Sequence, residues 1–254
     1  MRTLTAAALA AIVAISIAGC GKPPTAKEIL DKAAATYKNT KSVRIEAENG
    51  RDQRFDNEWQ SNGSLVLTEF EKPNKIRQQT VGATQPGVVS DGKKAFFYMD
   101  QAKAYVEVPP ERVVDGLTAA QSGVHLLRLV ADGSMFKGAK GIKLVGEEKV
   151  GDVETYVVEF TPSLAAPIRG LENAKLTDKL WIGKDDFRMY KGTFIVKQTM
   201  DAKGVKHHVT FTLTSVPTKQ DLAAKIAPAE FALPKGAQVT QMPQMMQPNP
   251  HGGR

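Results

Sequence analysis

The chain of 254 residues contains a single cysteine, Cys20. One thiol cannot form an intramolecular disulfide or supply a thiolate cluster for a metal ion. Two catalytic signatures, Gly-x-Ser-x-Gly and His-Glu-x-x-His, are also missing. Lysines are spread from Lys22 to Lys235 without a run of five, so no basic arm of the kind that binds nucleic acid is present. We therefore expect no enzyme, no cofactor and no nucleic-acid partner.

Three near-matches to functional motifs are each better explained without a site. The stretch 134–137 fits Ser-x-x-Lys, but it follows a turn signal and does not open a helix. His207 and His208 are neighbours on a predicted strand, so they face opposite sides of the sheet and cannot share one ion. The methionines and the histidine of residues 242–251 could bind Cu(I), but a flexible, oxidisable tail is the simpler interpretation. We expect no metal site.

The sequence has one long apolar run, Leu4 to Ile17, which is short for a comfortable membrane span. Arg2 precedes it, and small residues follow it up to Cys20. A positive start, an apolar core and small residues are the order of a secretory signal. An ordinary signal peptide in which the cysteine is incidental, or an uncleaved anchor, would share this order.

The four residues Ile17-Ala18-Gly19-Cys20 resemble the lipobox of bacterial lipoproteins. The resemblance implies cleavage before Cys20, a diacylglycerol thioether on its sulfur and usually a third acyl chain on the new N-terminus. Two or three such chains suffice for stable anchoring. We therefore predict a signal peptide over 1–19, a lipidated tether over 20–24 and attachment to a membrane of the cell envelope, facing the periplasm or the cell surface. The net charge of +7 fits a soluble surface, or attraction to anionic lipid headgroups.

An amphipathic helix is predicted to begin after Thr25. Thr25 and Glu28 have the spacing of a capping box. The apolar residues that follow share one helical face. They are Ile29, Leu30, Ala33, Ala34 and Tyr37.

From Ser42 the hydrophobic period changes to two, which predicts strands. Asn49-Gly50 and Asn62-Gly63 are typical hairpin turns, and they separate short strands that include Phe55 to Trp59. A helical insert is expected between Glu111 and Ala131. Further strands then end at Pro217, and one helical turn is expected over Leu222 to Ile226. The pattern predicts about eleven strands in one domain over 25–235, followed by a disordered tail over 236–254.

Four stretches together resemble the LolA/LolB group of lipoprotein carriers and their lipid-binding relatives. They are residues 28–44, 90–98, 179–185 and 229–234, the last reading Ala-Glu-Phe-Ala-Leu-Pro. The resemblance implies an α+β, mainly β fold, in which a strongly curved antiparallel sheet forms an unclosed barrel and helices cover its concave face. The chain is longer than the soluble carrier and, unlike it, carries a lipobox. The lid-locking arginine of that carrier cannot be assigned to one position here: Arg44, Arg77 and Arg188 are all candidates by strand location, and none is favoured.

The resemblance also implies an apolar cavity that takes lipid or acyl chains, because a sheet with one apolar face must cover that face. If the helices fill the concavity the protein has a plain core, and if they span its mouth the interior accepts acyl chains. The residues expected to line the cavity are Val43, Ile45, Leu65, Leu67, Phe97, Val106, Phe194, Val209, Phe211 and Leu213. Those expected to form the lid are Val113, Val114, Leu117, Val124 and Leu127.

The function predicted from these features is that of a membrane-anchored envelope lipoprotein that binds lipid or acylated protein, in lipid or lipoprotein transport. Two alternatives share the fold: a protein-binding envelope regulator, and a structural lipoprotein without a ligand. Binding of a fluorescent fatty acid, or capture of one stoichiometric protein partner, separates the three.

Overall fold

A computed structural model describes residues 23–110, 113, 129–131, 134–163, 173–202 and 205–241. Helix α1 spans Ala26–Lys38. Its predicted capping box is confirmed: the Thr25 hydroxyl accepts from the Glu28 amide at 3.3 Å, and the Thr25 amide donates to the Glu28 carboxylate at 2.7 Å. The predicted apolar face is buried at Ile29, Leu30, Ala33 and Tyr37.

The strands of the described residues form one sheet, whose order is β12-β6-β5-β4-β3-β2-β1-β11-β10-β9-β8-β7. The first six are β1 (Ser42–Phe55), β2 (Glu58–Glu71), β3 (Lys75–Thr80), β4 (Val88–Asp91), β5 (Ala95–Met99) and β6 (Ala104–Val108). The others are β7 (Lys140–Val150), β8 (Val153–Thr161), β9 (Lys175–Gly183), β10 (Met189–Ala202), β11 (Val205–Asp221) and β12 (Val239–Thr240).

The predicted architecture of a curved, unclosed antiparallel sheet is confirmed. Each neighbouring pair is antiparallel except β12 with β6, which is parallel. The chain lays β1 to β6 outward in one direction, and β11 then returns to pair with β1. Two edges, β12 and β7, stay apart, so the sheet does not close into a barrel.

Two predicted turns are wrong, because both Asn-Gly pairs lie inside long strands. Gly50 of β1 pairs directly with Gly63 of β2, and neither has a positive φ. Asn-Gly favours a hairpin only where the backbone turns left-handed, and here strand pairing keeps both pairs extended, on two sides for Asn49-Gly50 and on one side for Asn62-Gly63. The turn lies instead at 56–57, inside the stretch predicted as a strand, with Asp56 at φ 50°.

The C-terminal part of the sheet also extends further than predicted. Strand β11 continues through Pro217 to Asp221, because the proline sits where the pairing shifts by one residue opposite Ala47. A bulge tolerates the missing N–H of a proline. The helical turn predicted over 222–226 is absent from the described residues, and a 3-10 turn lies at Pro228–Phe231. Strand β12 falls inside the stretch that was predicted as tail.

The core lies between α1 and the concave side of the sheet, which is called the inner face from here on. Strands from both halves of the sheet contribute to it, and Val113, Leu129 and Val130 pack there as well. Its largest buried side chains include Tyr37, Phe70, Phe160, Ile29, Leu30, Ile76 and Leu129. Among the described residues, no helix has the length and apolarity that crossing a bilayer requires.

Several predictions lie outside the described residues. They concern the signal peptide, the lipidated Cys20, the last part of the tail and four of the five lid residues (Val114, Leu117, Val124 and Leu127). Val113, the fifth, is 1% exposed and belongs to the core.

Candidate functional site

Helix α1 is tied to the sheet by a buried network at one end of the inner face. The Tyr37 hydroxyl donates to Gln220 Oε1 at 3.0 Å and accepts the amide hydrogen of Met189 at 2.9 Å. Gln220 Nε2 in turn donates to the Met189 carbonyl at 2.7 Å. Burial raises the pKa of Tyr37 above its ordinary value, so the phenol stays neutral and can serve both partners.

The turn between β9 and β10 supports the same end of α1. Thr36 Oγ1 donates to the Asp186 carbonyl at 3.4 Å, and the Lys32 ammonium lies 4.7 Å from the centre of the Phe187 ring. The Asp186 carboxylate accepts from Tyr190 Oη at 2.8 Å, and burial together with this contact raises the pKa of Tyr190 to about 12. The covering helix is therefore fixed at this corner by polar contacts as well as by apolar packing.

The register places eight of the ten predicted cavity residues on the inner face. Directly paired residues share a face, so Phe70 opposite Val43 and Leu213 opposite Arg51 define it. The eight are Val43, Ile45, Phe97, Val106, Phe194, Val209, Phe211 and Leu213. Leu65 and Leu67 pair with Glu48 and Glu46, so they lie on the opposite, outer face, and it is Val66 that points inward. The predicted residues therefore do not form one continuous lining.

Four central strands continue beyond the part of the inner face that α1 covers. We call this part of β1, β2, β10 and β11 the extension, residues 49–64, 192–202 and 205–215. Its β10–β11 side is apolar on the inner face, with Phe194, Val196, Phe211 and Leu213 next to one another. Its β1–β2 side is polar and carries Asn49, Arg51, Gln53, Gln60, Asn62 and Ser64.

The two sides of the extension meet at Arg51. Its guanidinium carbon lies 4.6 Å from the centre of the Phe211 ring, so the cation stacks on the edge of the apolar side. Asn49, two residues earlier on the same face, is only 7% exposed, and its amide oxygen has no hydrogen-bond partner. The inner face of the extension is thus amphipathic and carries one buried acceptor without a hydrogen-bond partner, Asn49 Oδ1.

The far end of the extension exposes large apolar side chains. Trp59 is 63% exposed and Phe55 is 40% exposed, and Met200 and Val205 are exposed beside them. Phe55 stacks on His207 at 4.9 Å, and His207 Nδ1 lies 2.8 Å from Asp56 Oδ2. This contact, with the His208 amide, lowers the pKa of Asp56. The turn between β1 and β2 is thereby held to strand β11.

Of the three arginines proposed for a lid contact, two lie together and the third lies elsewhere. Arg44 and Arg77 are both on the outer face, where they bind the buried carboxylate of Glu69 at 2.7 and 3.3 Å. Arg77 also reaches Glu230 at 3.3 Å, beside a polar cleft of about 300 Å³ between the sheet and the 3-10 turn. Arg188 is the one beside α1, with its Nε 3.6 Å from Asp186 Oδ2.

Sequence reasoning missed Arg51 and Asn49 because the predicted Asn-Gly turn ended the strand before them. The signal that finds them is the alternation itself. Every second residue from Val43 to Phe55 points inward once β1 is read as a single strand.

A comparison with protein families matches residues 26–242 to the model described as "Predicted periplasmic protein (DUF2092)". The chain belongs to the DUF2092 family. The DUF2092 match begins at the first residue of α1 and ends just beyond β12, so it includes α1 and all twelve strands of the described residues. The comparison with curated proteins gives no match.

Solved structures similar to this DUF2092 protein share little sequence with it. A LolA superfamily protein from Nitrosomonas europaea is 16% identical, with a TM-score of 0.34, and the match covers 82% of this chain and 98% of that one. The lipoprotein LppX of Mycobacterium tuberculosis is 10% identical, with a TM-score of 0.38, over 78% of this chain and 96% of that one. The MucA/MucB complex of Pseudomonas aeruginosa gives 13% identity and a TM-score of 0.32, over 85% of this chain and 64% of that one.

Proposed function

We propose that this DUF2092 protein is an envelope lipoprotein, anchored through acylated Cys20, that binds lipid or acyl chains on the inner face of its sheet. The observation that carries the proposal is the apolar side of the extension. There, Phe194, Val209 and Phe211 face inward while remaining only half-buried.

Half-buried aromatic and aliphatic side chains on a concave surface favour an apolar ligand, because each Å² of apolar area that a ligand covers contributes roughly 25 cal/mol. The outer face of β11 differs, since Thr210, Thr212 and Thr214 alternate with the inward-facing apolar residues of this strand. An apolar ligand would therefore be held on one face only.

The two faces of β11 supply a matched test of binding. Full-length protein carrying Cys20→Ser, which removes the protein's own acyl group, is examined by native mass spectrometry and by titration with a fluorescent fatty acid. Phe211→Asp is expected to weaken uptake at least tenfold, whereas Thr212→Asp, its neighbour on the outer face, leaves uptake unchanged. Thermal melting of both variants controls for loss of fold.

Absence of co-purified lipid together with no fatty-acid uptake by the parent protein would contradict the proposal. A single stoichiometric protein partner captured under those conditions would instead favour the envelope regulator.

The anchor has its own test. Radiolabelled palmitate is expected to be incorporated by the wild-type chain, which then fractionates with membranes. Cys20→Ser should abolish both the incorporation of palmitate and the association with membranes. Equal membrane association of the two proteins, without label, would refute anchoring through Cys20.

A further inference from the structure

Arg51 is a cation without a counter-ion on the inner face of the extension. Its side chain is exposed, it forms no ion pair with another described residue, and its guanidinium stacks on the Phe211 ring. Its neighbours on the same face are neutral: Asn49 and Gln53 along β1, and Asn62 directly opposite on β2. Two acidic residues of this face lie further away. Glu58 is four residues beyond Asn62, about 13 Å along the strand, and the buried Asp178 is on β9, three strands from Arg51 and next to Phe194.

Asn49 adds a second, independent sign of a missing partner. It is 7% exposed, and its amide oxygen accepts no hydrogen bond. Buried polar atoms are nearly always paired, so an unpaired acceptor at a binding surface marks the position of a ligand donor. Two residues on one strand are separated by about 6.6 Å, so Asn49 and Arg51 can contact one small headgroup together.

The apolar side of the extension runs beside these two residues. On β11, Leu213 is directly opposite Arg51, and Phe211 and Val209 continue toward the tip. On β10, Phe194 and Val196 pair with Leu213 and Phe211. A molecule whose polar group lies at Arg51 therefore meets the apolar β10–β11 side of the extension one strand away; this side is called the apolar strip below.

We propose that the inner face of the extension binds a single class of ligand: an anionic amphiphile whose phosphate or carboxylate pairs with Arg51 and whose headgroup hydroxyl donates to Asn49. Its acyl chain lies along the β10–β11 side. The inference rests on the proposed function and makes it more specific. The proposed function gives the ligand an acyl chain, and the inference adds a negative charge and a hydrogen-bond donor to its headgroup.

Two amphiphiles that differ only in the phosphate test the headgroup. They are 1-palmitoyl lysophosphatidic acid and 1-monopalmitoylglycerol, both titrated calorimetrically into the full-length Cys20→Ser protein. Charge-assisted hydrogen bonds are about twice as strong as neutral ones. Arg51→Gln is therefore expected to raise the Kd for lysophosphatidic acid at least tenfold and the Kd for monopalmitoylglycerol less than twofold.

Arg54→Gln is the matched control. Arg54 lies on the same strand, is exposed and also stacks on an aromatic ring, that of Trp59 at 5.8 Å, but it points to the outer face. It is expected to leave both Kd values unchanged. Arg51→Lys keeps the charge and is expected to restore part of the preference for the phosphate. Asn49→Ala is expected to weaken both amphiphiles by a similar factor, since both carry a free hydroxyl.

The possible outcomes separate the headgroup from the apolar strip. If the wild-type face binds both amphiphiles but Arg51→Gln leaves their affinity ratio unchanged, the headgroup site is refuted and the proposed function stands. If the parent protein binds neither, the proposed function fails as well. Inorganic phosphate is expected not to compete with lysophosphatidic acid, and competition at equal concentration would refute the contribution of the acyl chain.

Discussion

Removing one buried hydroxyl should weaken the attachment of α1 to the sheet. Tyr37 has no exposed surface, and its hydroxyl bonds both the Gln220 amide oxygen and the Met189 amide hydrogen. Tyr37→Phe keeps the ring packing but leaves these two groups without their partner. Each buried polar group left unpaired costs about 1–3 kcal/mol. Because Met189 is buried and Gln220 only partly so, we expect the free energy of unfolding to fall by about 2–4 kcal/mol.

Urea denaturation followed by tryptophan fluorescence measures this loss, since Trp181 is buried in β9 next to the same corner. The urea concentration at the midpoint of unfolding should be lower for Tyr37→Phe than for the parent protein, while the m-value stays constant. Tyr190→Phe is the control. The Tyr190 hydroxyl is half-exposed and makes one hydrogen bond, to Asp186, so its removal should lower the free energy of unfolding by about 1 kcal/mol or less. A Tyr37→Phe effect no larger than that of Tyr190→Phe would refute the assigned role of the network.

The same tyrosine predicts an alkaline limit to stability. Burial raises the pKa of Tyr37 in the folded protein above the unfolded value of 10.0. Its contribution is therefore complete below pH 10 and is lost as pH rises beyond it, by up to about 1.4 kcal/mol per pH unit for one proton. Tyr37→Phe should unfold with a shallower dependence on pH between 10 and 11.5. Parallel curves for the two proteins would show that Tyr37 does not titrate on unfolding.

Two further substitutions test the packing and the face assignment, each with a control in the same sheet. Gly183→Ala should destabilise the protein by about 1–3 kcal/mol in the same urea assay, because the added Cβ would clash with the Asp186 carboxylate. Gly50→Ala is its control and should be close to neutral, since the nearest atom to the added Cβ is 3.8 Å away. Val66→Lys should cost more than about 3 kcal/mol by burying a charge, whereas Leu65→Lys, on the outer face, should cost less than about 1 kcal/mol. Equal losses for Val66 and Leu65 would contradict the register of β1 with β2.

Local chemistry made part of the fold predictable. The capping box of α1 and the Asp91-Gly92 hairpin depend on residues within four positions of one another, and both are present. The long central strands depend on their neighbours in the sheet. Gly50 lies in extended backbone because it is paired on both sides, with Gly63 and with Thr214, and Gly63 is held by its pairing with Gly50. This non-local pairing overrides the turn preference of Asn-Gly.

The candidate site was predictable only in part, for a related reason. Leu65, Val66 and Leu67 are all apolar, so hydrophobicity does not decide which of them faces inward. The register decides it, and Val66 is the inward residue because it pairs with Ala47. For Phe211 and Leu213 the sequence does separate the two faces, because threonines alternate with them along the same strand.

The charge of the inner face depends on the same register. Along β1 the basic Arg51 points inward and the acidic Asp52 points outward, where it accepts from the Ser61 hydroxyl at 2.6 Å. A shift of one residue would exchange them, and an acidic group would then replace the cation beside Phe211. The sign of the headgroup that we propose for this surface is therefore not a property of the local sequence Arg-Asp. It follows from the unbroken alternation that begins at Val43 under α1, so the buried core fixes the polarity of the exposed half of the same strand.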